Sequence, residues 1–217
     1  MKPLLLFPFN GNVREAVEVV QAINAAAPTW DLLGFLDDDP EKKGCVFAGY
    51  PVLGGRGELT VHPDAMVLAV PGRPENYVGR AAVIEDLGLP PERFANLVHP
   101  RAVIGPESSL GVNCLIMAGV VITAGVRIGS HVVIRPNTVV SHETRIEDYC
   151  MVGSGVCLSG GVTARKGCYL GAGSKFIHEI EIGEWAMVGM GAVVIRNVPA
   201  RCVVAGCPAK PLASDES

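Results

Sequence analysis

From Ala102 onward the sequence repeats with a strict period of six. Every sixth residue from Ile104 is apolar: Ile104, Leu110, Ile116, Ile122, Ile128, Ile134, Val140, Ile146, Val152, Leu158, Ala164, Leu170, Phe176, Ile182, Val188 and Val194. Two places before each stands a small or β-branched residue, among them Ala102, Ser108, Cys114, Thr138 and Cys150, and seven of the sixteen places just after are Gly. An α-helix cannot carry this pattern, because 3.6 residues per turn would scatter the apolar positions around its surface. One long strand has no corners. The period fits a solenoid of short strands turning every six residues, with an inward aliphatic at each corner and Gly relieving the backbone just after it. Three hexads close one triangular coil, so residues eighteen apart stack at the inter-strand spacing of ~4.8 Å.

Residues 1–96 follow another rule, with short apolar runs alternating with amphipathic segments as in a parallel α/β unit. A first strand is expected over Leu4–Phe9, followed by the turn Asn10-Gly11-Asn12. Val13, Ala16, Val17, Val20, Ile23 and Ala27 then recur at helical spacing until Pro28. A second strand, Leu32–Leu36, ends in Asp37-Asp38-Asp39-Pro40; a third covers Ala65–Val70, and a helix follows from about Asn76 to Leu87. That is half of a doubly wound, Rossmann-type fold. Unpaired N–H groups at a helix N-terminus attract anions, which makes Asn10, Gly11 and Asn12 candidates to hold a phosphate-bearing ligand. Asp37 and Asp38, at the carboxyl end of the next strand, are candidates for a base or ribose. The G-x-G-x-x-G fingerprint is absent, which argues against a dinucleotide. The expected organisation is an α/β domain over 1–96, a solenoid over 97–200 and a tail over 201–217.

The net charge of −4, with no run of Lys or Arg, offers no footprint for nucleic acid or an anionic membrane. The apolar stretch Leu4–Phe7 is too short to cross a bilayer and reads as a buried strand, so a cytoplasmic protein is expected. Seven cysteines, an odd number without a C-x-x-C pair, read as reduced structural thiols rather than a metal site.

Chemistry has to come from residues that break the repeat. The break is Val139-Val140-Ser141-His142-Glu143, then Ile146-Glu147-Asp148, then Ser159-Gly160-Gly161-Val162. Together with Gly34-Phe35-Leu36-Asp37-Asp38-Asp39-Pro40, Leu97-Val98-His99-Pro100 and Val204-Ala205-Gly206-Cys207-Pro208-Ala209-Lys210, it resembles the hexapeptide-repeat sugar acyltransferases, the group of sialic acid O-acetyltransferases and bacillosamine and perosamine N-acetyltransferases. The resemblance implies a left-handed parallel β-helix, a homotrimer with active sites between subunits, acetyl-CoA as co-substrate and a nucleotide-linked sugar as acceptor, in surface polysaccharide (lipopolysaccharide) biosynthesis.

By the same resemblance His142 is the general base, Glu143 the acid that supports it, and Gly160 the backbone donor to the oxyanion. The pantetheine arm would run past Ala172 and Met190 toward Gly206, Pro208 and Lys210. Two positions depart from the pattern: Met151 stands where relatives place a second His against acetyl-CoA, and Arg135 where they carry an Asn near the acceptor. An imidazole suits the chemistry, since it can take a proton near neutral pH from an amine attacking a thioester. An amino group is the expected acceptor, with sugar O-acetylation the alternative. A zinc hydratase of the gamma carbonic anhydrase type is a rival, because His142 and His178 stand two coils apart in one column; its third His would fall at Gly183. A non-catalytic scaffold is the other rival, and no metal is expected.

Overall fold

The computed structural model describes residues 1–212. Two compact units make up the chain, Met1–Pro100 with Val112–Met117 and Arg101–Gly111 with the residues from Ala118 on.

The first unit contains β1 (Lys2–Phe7), α1 (Gly11–Ala26), β2 (Trp30–Leu36), β3 (Val46–Phe47), β4 (Tyr50–Gly54), α2 (Glu58–Val61), β5 (Met66–Ala69) and α3 (Arg80–Glu85). The sheet order is β3-β4-β2-β1-β5, parallel except for the β3/β4 hairpin. β1 lies inside the sheet with Leu4, Leu5 and Leu6 fully buried, as a parallel strand covered on both faces requires. It ends at Phe7, short of the expected Phe9, because Pro8 has no N–H to continue the ladder. Asn10 caps α1, its side chain accepting from the Val13 N–H at 3.2 Å, and the helix buries Val13, Ala16, Val17 and Val20. The expected helix over 76–87 is a 3₁₀ turn, Tyr77–Gly79, followed by the six-residue α3. The hairpin was not expected. Its turn places Ala48 and Gly49 at φ 52° and 85°, and Ala gives no sign of a left-handed conformation in the way Asn or Asp would.

The second unit is the left-handed parallel β-helix. Its first face stacks Val103–Ile104, Val121–Ile122, Val139–Val140, Cys157–Leu158, Lys175–Phe176 and Val193–Val194. The second face stacks Ser109–Leu110, Arg127–Ile128, Arg145–Ile146, Thr163–Ala164 and Glu181–Ile182. The third includes Val133–Ile134, Met151–Val152, Tyr169–Leu170 and Met187–Val188. Registers such as Val121↔Val139, Arg127↔Arg145 and Val133↔Met151 are eighteen apart, as the period requires. Val203–Ala205 adds one more parallel rung to the third face beyond residue 200, and Lys210–Pro211 folds back antiparallel on it. Residues 213–217 of the expected tail lie outside the described residues.

The small residues two places before each inward aliphatic have a second task. Ser108 Oγ, Thr138 Oγ1 and Cys168 Sγ donate to the carbonyls of Thr123, Gly153 and Gly183, fifteen residues on, at 2.7, 2.8 and 3.1 Å. They satisfy corner carbonyls that the ladder leaves open. The role expected of the seven glycines needs correction. The left-handed backbone falls three places past the inward aliphatic, at Asn113, Gly125, Asn137, Glu143 and Gly161 among others, not one place past it. At Gly171 and Gly153 the constraint is space: a Cβ would meet Val188 O at 2.6 Å and Ala172 N at 2.5 Å.

Candidate active site

His142 stands two residues past the inward Val140, on the edge where the first face turns into the second. Three backbone bonds fix this corner. Ser141 N–H donates to Leu158 O at 3.0 Å, Gly161 N–H to His142 O at 2.9 Å, and Glu143 N–H to Ala124 O at 3.2 Å. The side chain leaves the packed interior and is 68% exposed. Glu143 holds the left-handed position at φ 58°, and its Oε2 lies 3.7 Å from His142 Nδ1. At that distance the pair is an electrostatic contact rather than a hydrogen bond.

The imidazole lies over Gly160, one coil up. A Cβ on Gly160 would come within 2.5 Å of both Cε1 and Nε2, so only glycine leaves the ring its place. Nδ1 faces Glu143, which leaves Nε2 for an acceptor proton. Among the described residues no backbone hydrogen bond engages the Gly160 N–H, while its carbonyl accepts from Glu179 N–H at 2.9 Å. A ring nitrogen thus lies against a residue whose N–H makes no backbone hydrogen bond among the described residues. That pairing serves acyl transfer, in which a proton leaves the nucleophile as negative charge develops on a carbonyl oxygen.

The residues expected to meet the acyl donor lie elsewhere on the same unit. Ala172, Met190 and Gly206 fall in one file along the edge between the third and first faces, in register with the Met187↔Val203 pairing. The Ala172 and Met190 N–H groups make no backbone hydrogen bond among the described residues, and the Met190 side chain is 80% exposed. Pro208 and Lys210 are exposed beyond Gly206, whereas Met151 is buried. Arg135 sits one place past the inward Ile134, its N–H bonded to Val152 O at 3.0 Å. One chain thus does not bring the base edge and the donor edge together; they flank the first face, six residues and at most about 20 Å of chain apart.

His178 lies two coils above His142 in the same file, followed like it by a left-handed Glu. Among the described residues no group of three His, Cys, Asp or Glu side chains is placed to hold a metal ion.

The model for the bacterial transferase hexapeptide (six repeats) matches residues 109–142 and 125–160. No curated protein matches by sequence. Among solved structures, perosamine N-acetyltransferase from Caulobacter crescentus, in complex with CoA and GDP-perosamine, is 26% identical; the match covers 98% of each chain with a TM-score of 0.85. The acetyltransferase domain of PglB from Neisseria gonorrhoeae, in complex with acetyl coenzyme A, is 25% identical over 97% of this chain and 99% of that one, with a TM-score of 0.84. WeeI from Acinetobacter baumannii is 25% identical over 98% of this chain and 100% of that one, with a TM-score of 0.79. By its repeat and these likenesses the chain is an acyltransferase on a hexapeptide-repeat fold, similar to sugar N-acetyltransferases over nearly its whole length.

In this acyltransferase the N-terminal candidates are tied into their own unit. Asn12 is buried, and its Nδ2 donates to Val70 O at 2.9 Å and Gly72 O at 3.2 Å; Asn10 Nδ2 also reaches Val70 O, at 3.2 Å. The two side chains join the loop after β1 to the loop after β5. Gly11 borders open space. Asp37 accepts from the Asp39 N–H and from Lys42 Nζ, both at 3.0 Å. Asp38 is held by Arg56 through Nε at 2.9 Å, Nη2 at 2.7 Å and the backbone N–H at 2.8 Å. Partial burial pushes the Asp38 carboxyl up, but the hydrogen bonds and charge of Arg56 outweigh it and hold the group below the usual carboxylate range. Arg56 is not legible in the sequence, since nothing in a loop residue eighteen places on signals a fork around a given Asp.

Proposed function

We propose that the acyltransferase moves an acetyl group from acetyl-CoA to the amino group of a nucleotide-linked amino sugar, with His142 as general base. The observation that carries this reading is the His142 imidazole lying over Gly160 beside an open backbone amide. Nε2 takes the proton as the amine attacks the thioester carbonyl, the oxyanion is held by the Gly160 N–H, and collapse expels the CoA thiolate, which the imidazolium reprotonates. Glu143, 3.7 Å away, stabilises the imidazolium while it exists. Similar enzymes of near-equal length support the choice of substrates, one being solved with CoA and GDP-perosamine together, in native form and with a histidine replaced by Asn or Ala.

The donor fits the residues of the second edge. Open amides at Ala172 and Met190 suit the amide-bearing pantetheine arm, and Gly206, Pro208 and Lys210 continue that file, Lys210 supplying charge for CoA phosphates. Met151 is assigned to the donor side and Arg135 to the acceptor side. The N-terminal unit is assigned to the nucleoside, through Asn10, Gly11, Asn12, Asp37 and Asp38. The reading includes a homotrimer, and the two separated edges support an assembly in which subunits share a site. The first face between them is apolar outward at Val103, Val121, Val139, Cys157 and Val193, with Lys175 the one charged residue in the row, so a second copy covering it would set its own donor edge against this base edge. The reaction is placed in the cytoplasm, in the assembly of surface polysaccharide; no described helix is long and apolar enough to cross a membrane.

A panel of nucleotide amino sugars assayed for thiol release from acetyl-CoA tests the reading. Transfer to at least one amine is expected. Transfer only to hydroxyl groups would shift the assignment to O-acetylation, and no thiol release with any acceptor would remove it.

A further inference from the structure

We propose that Arg127 and Arg145 form a binding site for a phosphate or diphosphate group, which in the reaction is the diphosphate of the acceptor; that last assignment rests on the acetyltransferase reading above. The two residues are exposed and pair in register on the outer side of the second face. Like charges directly opposite on neighbouring strands repel, so the arrangement costs stability unless something negative lies across it. Among the described residues neither guanidinium has an ion pair or hydrogen bond. Arg165 on the same side of the β-helix shows the contrast, held by Glu147 at 2.9 Å and Glu181 at 2.7 Å.

A groove of about 420 Å³ runs along the pair and continues to Lys166. Two of its three carboxylates are already engaged. Glu147 holds Arg165 and accepts from the Lys166 N–H at 2.9 Å, and Asp148 accepts from the Ser130 N–H at 2.7 Å. Glu184 is the third lining acid. Two guanidinium forks carried on adjacent rungs, whose backbones are ~4.8 Å apart, suit an anion with oxygens on two adjacent centres, which is the chemistry of a diphosphate. Position points to the acceptor. Arg145 follows His142 by three residues, at most about 10 Å of chain, a span of the order of one sugar ring and its glycosidic bond. An amine at Nε2 and a diphosphate at Arg145 and Arg127 are therefore two ends of one substrate.

Inorganic pyrophosphate binding to the full chain, by calorimetry and thermal shift, tests the site without requiring turnover. The wild type is expected to bind and to gain thermal stability. Arg127→Gln/Arg145→Gln should bind about tenfold or more weakly, and each single variant should melt no lower than the wild type, since repulsion is relieved. In turnover the double variant should raise KM for the nucleotide sugar about tenfold or more, with KM for acetyl-CoA and the pH profile unchanged. Equal pyrophosphate binding by wild type and double variant would overturn the site. Lost pyrophosphate binding with an unchanged acceptor KM would overturn the acceptor assignment, the ligand then being a free phosphate compound. A wild type that binds pyrophosphate but acetylates no amino sugar would refute the proposed reaction and leave the anion site standing.

Discussion

At the scale of single residues, Gly160 and Gly171 separate two uses of a missing side chain. A methyl group at 160 meets the end of a movable ring, 2.5 Å from His142 Nε2, whereas at 171 it meets fixed backbone, 2.6 Å from Val188 O. Gly160→Ala is therefore expected to leave the melting temperature nearly unchanged and to lower kcat by roughly 10- to 100-fold, because the imidazole must move. Gly171→Ala should destabilise the fold by about 1–3 kcal/mol and alter kcat little in the folded fraction. Thermal unfolding and steady-state kinetics on the two variants check both statements. Counting by eighteen from His142 is enough to put Gly160 beside it, so this column was legible in the sequence. The lie of the ring over the glycine was not, because it depends on a side-chain rotamer. Nor was the left-handed position, which this chain fills with Asn, Glu, His, Tyr and Trp as readily as with Gly.

At the scale of elements, the end of β2 depends on Asp38 and Arg56. Folding lowers the Asp38 pKa, so its contribution is fully present above the unfolded carboxylate value, about pH 4, and is lost as pH falls through the lower folded value. Asp38→Asn should lower the melting temperature at pH 7, and the difference from wild type should shrink as the pH is taken below about 4. A difference constant across that range would mean that the ion pair is not what stabilises the loop. If this end of the sheet holds the nucleoside, the same variant should raise KM for the nucleotide sugar more than for acetyl-CoA. β1, α1 and β2 were readable because apolar spacing and Pro28 mark them. The β3/β4 hairpin was hidden behind an Ala-Gly turn, and the expected helix at 76–87 is divided because its first turn, Tyr77–Gly79, is 3₁₀ and its last bonds, from the Leu87 and Gly88 N–H groups, close as i to i−3 turns.

For the whole molecule, the hexad rule fixed the β-helix almost residue by residue, since corner packing tolerates no slip in a solenoid whose every rung repeats the last. The resemblance implied active sites between subunits; the wound coils put the candidate positions Ala172 and His142 on opposite sides of the first face. Sedimentation is expected to show a trimer. Mixing two inactive variants, His142→Ala and Ala172→Trp, under conditions that exchange subunits should restore part of the activity, because some interfaces then combine an intact base edge with an intact donor edge. No recovery despite demonstrated exchange would place both edges of a site in one chain. The most direct test of the account is product mass and turnover with acetyl-CoA and a nucleotide amino sugar, wild type against His142→Ala. The expected result is N-acetylated sugar from the wild type and a kcat lower by on the order of 10²–10⁴-fold in the variant, with trimer assembly and CoA binding retained; near-equal turnover by the two proteins would contradict it.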